Sequence, residues 1–256
     1  MYKIKFVISF MIILFISLSI SAEEVFSREY DIYKNRFFLS VRGGEFLPEE
    51  VYSIRTDLVV LNQPAWFENT MNFKESFIFG GSIGYFFTEN LGLRIDVDIC
   101  STDGESSFKA NLPNPLKPTE SAEVTTTVTG FASNWTVAHA DLVYRKKLSS
   151  RLMFSIGAGA TGVFTDIYVL DNFTWDWIAN VLGLVDIQFE TYKVEAYSFN
   201  IYGELQYYVD DDISLSLEGR YFHSSTEIEV PDYIYNAKLP VDMGGVYILA
   251  GLNLHL

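Results

Sequence analysis

Eight charged residues recur at a spacing that suits strands. Arg94, Asp96 and Asp98 alternate with Leu93, Ile95, Val97 and Ile99, and Glu218 and Arg220 alternate with Leu217, Gly219 and Tyr221. Arg42, Asp141 and Glu204 hold the same place in three further alternating runs. Successive side chains of a strand point to opposite faces, so each run has one apolar face and one charged face. Counted from the nearest short turn, Arg42, Arg94, Asp96, Asp141, Glu204, Glu218 and Arg220 fall at comparable heights, and Asp98 and Arg145 share their face. Gathered in one interior, these groups must pair, because each unpaired buried charge costs several kcal/mol. Acid outnumbers base, so one carboxylate is expected to hold a proton or to reach water.

A second constellation is Arg220-Tyr-Phe-His223-Ser-Ser225. A serine nucleophile needs an adjacent base, and that base needs an orienting acid. His223 and Ser225 share the outward face, but no acid stands at a convincing spacing downstream. The plain reading is a pair of polar residues at an interface, and no enzymatic activity is expected. Acids such as Glu49, Asp103, Asp171 and Glu229 crowd the long connections. Divalent cations bridging them to lipid phosphates would use that charge; a solvated acidic surface is the simpler account. Asp210-Asp211-Asp212 reads as a turn rather than a calcium cluster. With no metal-ligand spacing, phosphate loop or nucleotide fingerprint, neither a metal nor a cofactor is expected.

The elements that position these groups follow from the period. Eight or so alternating segments run through the chain, each about ten residues long, the length that crosses a bilayer at barrel tilt. The connections between them alternate long and short. Thr88-Glu89-Asn90 and Asp210–Asp212 are among the short ones, and turns that short require antiparallel neighbours. The long connections are about 47–74, 101–123, 165–183 and 224–242. The first would make a ten-stranded barrel if it held a hairpin. In the third, Trp175, Ile178, Ala179 and Leu182 have helical spacing and suggest a short helix or plug. Lipid offers no partner to a strand edge, so the strands must close on themselves. Phe37, Tyr85, Tyr144, Phe154 and Tyr207 stand on the apolar face beside short turns, where an interfacial belt needs them. The expected fold is all-β: a closed antiparallel up-and-down transmembrane β-barrel of about eight strands, with long extracellular loops and short periplasmic turns.

Composition agrees. The 256 residues carry a formal net charge of -15, which argues against nucleic acid as a partner. Lys3 and Lys5, the apolar run from Phe6 to Ile20 and the small residues Ser19 to Ala22 have secretory signal architecture. The expected organisation is a signal peptide over 1–22, a periplasmic tail over 23–35 and a barrel domain over 36–256. Cys100, the one cysteine, cannot close an intramolecular disulfide.

Three stretches carry a resemblance: GYFFTENLGLRIDVDI at 84–99, IGAGATGVF at 156–164 and the terminal VYILAGLNLHL. They resemble the small outer-membrane β-barrel family that includes the OmpA-type transmembrane domain, OmpX and OmpW. That resemblance implies an outer-membrane location, contact with lipid and lipopolysaccharide, and recognition of the last strand by the barrel insertion machinery. There Leu256 replaces the family's final aromatic residue. The implied role is structural or adhesin-like, with loops that hold any extracellular ligand and a lumen plugged by the charged network. A small pore, or an OmpW-like path for small or hydrophobic molecules, is the alternative. The stretch from His223 to Ser225 also resembles the His-x-Ser element of outer-membrane lipid A deacylases, although Thr226 stands where that pattern has Asn.

Overall fold

The computed structural model describes residue 33 and residues 35–114, 117–178, 181–230 and 238–256; for 118–119, 175–178 and 181–185 it gives the backbone course only. The expected signal peptide and most of the expected tail lie outside the described residues.

Ten strands form one antiparallel sheet: β1 (Phe37–Pro48), β2 (Glu50–Val60), β3 (Gln63–Phe73), β4 (Ser76–Phe86), β5 (Leu91–Asn114), β6 (Lys117–Lys147), β7 (Leu152–Ile178), β8 (Val181–Tyr208), β9 (Ile213–Glu229) and β10 (Lys238–His255). The hydrogen-bonded order is β2-β3-β5-β4-β1-β10-β9-β8-β7-β6, and β6 pairs back onto β5. Eight strands therefore close a ring. The hairpin β2–β3 stands outside that ring and joins it through β3, from Trp66↔Asn111 to Phe73↔Gly104 of β5. The 47–74 connection does hold a hairpin, yet the barrel stays eight-stranded, because β2 and β3 continue β1 and β4 beyond the ring.

β5 shows what solvent the wall meets. Over Leu91–Ile99 the outward residues Leu91, Leu93, Ile95, Val97 and Ile99 are apolar and exposed, while Arg94, Asp96 and Asp98 are buried inside. Beyond Cys100 the same alternation continues with its chemistry exchanged. Ser101 and Asp103 now face out, and Phe108, Ala110 and Leu112 are buried within. β9 inverts likewise, from Leu215, Leu217 and Tyr221 outside to His223, Ser225, Glu227 and Glu229. An apolar outside around a charged interior is a wall built for lipid; a polar outside around an apolar core is a wall built for water. The first band spans about nine residues of β5, the length of a transmembrane strand.

The long connections therefore differ from the expected loops. Much of them is strand, so β6 runs 31 residues and β8 28. Together they raise a second tier, a water-exposed head, on the membrane barrel. The helix expected around Trp175 is also corrected. Trp175–Ile178 and Leu182 are strand, paired across the β7–β8 hairpin as Trp175↔Leu184 and Trp177↔Leu182; Ala179 lies outside the described residues. The helical spacing at 175–182 was overridden by pairing between the two arms of this hairpin.

One interruption in the wall has a clear cause. The β1–β4 ladder ends at Phe46↔Ser76, and pairing resumes on the hairpin at Glu50↔Asn72. Between them stands Pro48, which has no N–H to donate. Leu47 and Pro48 on one side and Phe73, Lys74 and Glu75 on the other line the resulting notch of about 550 Å³.

Candidate functional site

All eight predicted interior charges meet in one layer, each buried to 3% exposure or less. Arg42, on β1, donates Nε to Asp98 Oδ1 at 3.1 Å and Nη2 to Asp98 Oδ2 at 2.7 Å, and its Nη1 lies 3.0 Å from both Asp96 Oδ1 and Glu218 Oε2. Arg94, on β5, donates to Asp96 Oδ1 at 2.7 Å, Glu204 Oε2 at 3.0 Å and Glu218 Oε2 at 2.6 Å. Arg220, on β9, donates to Glu218 Oε1 at 2.9 Å and Asp96 Oδ2 at 2.8 Å, and lies 3.0 Å from Asp141 Oδ2. Five carboxylates thus surround three guanidinium groups, and Asp96 is held by all three. Each guanidinium presents a rigid fork of donors, which is why arginine rather than lysine can bridge several strands at once.

Register brings these groups to one height. Arg94 faces Asp141 across β5–β6, and Glu204 faces Glu218 across β8–β9. Two glycines make the room. A Cβ at Gly80 would overlap the Asp98 carboxylate, and one at Gly159 would overlap the backbone oxygen of Ala140 and crowd Asp141.

The structure adds members that sequence spacing missed. Asn200 donates to Asp141 Oδ1 at 2.8 Å. The Tyr202 ring carries Arg94 at 4.9 Å and Arg220 at 4.5 Å. His139 bonds Thr161 at 2.8 Å through Nδ1 and holds Nε2 3.7 Å from Asp98. Their inward parity was the available signal, but neutral polar and aromatic residues do not announce partners. Arg145 shares that parity yet stands apart, near the short turns. It donates Nε to the Glu89 carbonyl at 2.7 Å and lies 3.6 Å from the Phe86 ring and 5.3 Å from that of Tyr33. Tyr33 accepts from Lys147 N at 3.0 Å, and Asn35 donates to Asp212 at 2.8 Å, so Tyr33 and Asn35 contact separate points on the mouth of the barrel.

On the other side of the charged layer lie packed rings. Phe46 lies 5.3 Å from Trp135, 5.1 Å from Tyr247 and 6.2 Å from Phe222, and Phe73 meets Trp135 at 5.4 Å. His139 touches this cap, 5.9 Å from the Phe222 ring. The notch in the wall ends on it, since Phe73 belongs to both. The lumen is therefore occupied at three levels: Tyr33 with Arg145, the charged layer, and the aromatic cap.

At the outer edge of the lipid band, His223 Nδ1 lies 2.8 Å from Glu49 Oε2. Glu49 reaches it across β10, over Gly244, where a side chain would collide with the carboxylate. This is the acid for which sequence spacing offered no candidate. Among the described residues no hydrogen bond joins His223 to Ser225, which lies two positions along the same outward face. No group of three or more His, Cys, Asp or Glu side chains among the described residues is placed to hold a metal ion.

A closed antiparallel barrel with an apolar belt and a packed, ion-paired interior is a transmembrane barrel of the outer-membrane type. No family model matches the chain, and no curated protein does. Solved structures that match it include those of outer-membrane proteins. Neisserial surface protein A is 11% identical over 86% of this chain and 97% of its own, with a TM-score of 0.45. OprG of Pseudomonas aeruginosa is 10% identical over 87% and 98%, with a TM-score of 0.48. The outer membrane protease OmpT of Escherichia coli is 9% identical over 91% and 99%, with a TM-score of 0.42.

Proposed function

We propose that the protein is a non-conducting outer-membrane barrel that holds a rigid head above the bilayer for contact with other surfaces. The observation that carries this reading is the occupied lumen. The interior is ion-paired where the wall meets lipid and ring-packed above, while the head continues the same strands into water. Such a body is suited to presenting a surface and poorly suited to passing solutes. The export signal over 1–22 delivers it, the insertion machinery recognises the alternating strand β10, and the belt sits among lipid and lipopolysaccharide. Purified refolded protein in a planar bilayer tests the claim against the pore alternative. We expect no steady channels at moderate voltage, and a stable unitary conductance would overturn the reading. An OmpW-like lateral route through the notch would have to displace Phe73 from Trp135, so hydrophobic solutes are expected to gain no entry.

The Glu49–His223 pair favours a second reading, hydrolysis of an acyl ester in the outer leaflet. Glu49 would orient His223, and His223 would take the proton of Ser225. Release of fatty acid from lipid A by the wild type, lost in both His223→Ala and Ser225→Ala, would establish it. Release that survives either change would remove the site.

A further inference from the structure

The outermost end of the β2–β3 hairpin combines two features that a turn built for stability alone would avoid. Leu61 and Asn62 both have positive φ, 53° and 59°, and are the only non-glycine residues so placed among the described residues. Two consecutive positive φ values make the tight reversal that matches strand twist, and Asn-Gly fills it with least strain. At Leu61 the left-handed conformation presses a branched side chain's Cβ toward the following carbonyl. That side chain is also wasted on water. Leu61 is 54% exposed and its neighbour Val59 78%. Val59 pairs across the hairpin with Pro64, also exposed, and no charged residue occurs from Leu58 to Ala65. The base is firm, since Ile54, Leu58 and Val60 on the inner face pack against the core of the head.

The head that carries this apolar tip holds more acid than base. Arg55 is engaged, 4.4 Å over the Trp66 ring and 3.5 Å from Asp57. Of the lysines elsewhere on the head, Lys74 pairs with Glu105, Lys117 with Glu120 and Lys238 with Glu227, whose hydrogen bond raises the Lys238 pKa, while Lys109 and Lys193 stand opposite Glu68 and Asp166 in their ladders.

We infer that Val59, Leu61 and Pro64 form a docking knob that enters an apolar cleft with a basic rim on another protein. A lipid surface fits less well: the tip has no basic residue for phosphate, and its nearest aromatic ring, Trp66, is covered by Arg55. A second copy of the chain would bring two acidic heads together. The inference rests on the surface-contact reading above and names the point of contact.

The test places the photo-crosslinking residue benzoylphenylalanine at position 59, with position 195 on the side of the head as comparison, in intact cells carrying the full chain. The expected product at position 59 is a protein adduct. That protein, purified, should bind the refolded wild type, weaken as salt rises, and bind Leu61→Asn at least tenfold more weakly. Asparagine suits a left-handed position better than leucine, so the variant's turn stays intact. Adducts to lipid or to a second copy, no adduct at position 59, or equal affinity for Leu61→Asn would each overturn the knob. Protein adducts at position 195 with none at 59 would leave the surface-contact reading standing; adducts at neither would remove both.

Discussion

Asp96 and Glu218 each touch all three buried guanidinium groups, so the loss of either leaves the most charge uncompensated. Breaking a buried pair by neutralising one partner costs about 3–5 kcal/mol, far more than the pair's own net contribution. Asp96→Asn is therefore expected to lower the unfolding free energy in lipid or detergent by that amount, read from the urea midpoint and the heat-shifted gel band. Asp57→Asn makes the contrast. Its partner Arg55 lies 3.5 Å away with both side chains more than half exposed, and such pairs contribute about 0–1 kcal/mol. Equal effects of the two changes would contradict the network. The five carboxylates facing three arginines are all buried, so the surplus of negative charge is expected to be met by protons. A protonated-carboxyl band in the infrared spectrum of the refolded barrel at neutral pH, diminished in Glu204→Gln or Asp141→Asn, is the expected sign.

Single strands of this protein serve two solvents, and β5 allows the difference to be measured on one face. Val97 and Ser107 both point outward. Val97→Lys puts a cation near mid-bilayer and should cost about 2–4 kcal/mol. Ser107→Lys sits in water on the head and should stay within about 0.5 kcal/mol. A large cost at both positions would mean that the lipid band extends further than the inversion at Cys100 indicates. Backbone protection is the complementary measurement. Amides of 106–112 in β5 and 124–128 in β6 lie in a continuous ladder, so they should exchange as slowly as those of 93–99. Exchange within seconds would return these stretches to loops.

For the molecule as a whole, the three occupied levels act in series. Removing the aromatic cap with Trp135→Ala leaves the charged layer closed, so ion conductance should stay near zero while stability falls by about 3–5 kcal/mol. A channel opened by that single change would show that the charged layer is no barrier. The head and the membrane barrel share strands and so should unfold together. A separate low-temperature transition of the head would argue against that coupling.

The barrel was legible in the sequence because its signal is local. Alternation of Leu93, Ile95, Val97 and Ile99 with Arg94, Asp96 and Asp98, short turns such as Thr88–Asn90, and the shared height of the charges all follow from the two-residue period of a strand. Membership of the charged layer was legible for the same reason, since parity alone puts Arg42, Glu204 and Glu218 inside. The head was not. Outside the bilayer the outward face turns polar, so Ser101, Asp103 and Glu105 read as loop until the buried Phe108 and Leu112 are seen to have a core to face. Which carboxylate meets which arginine, the use of Tyr202 and Asn200 in the network, and the approach of Glu49 to His223 from 174 residues away depend on register across several strands. Register is set by the closing of the ring, and no local stretch of sequence contains it.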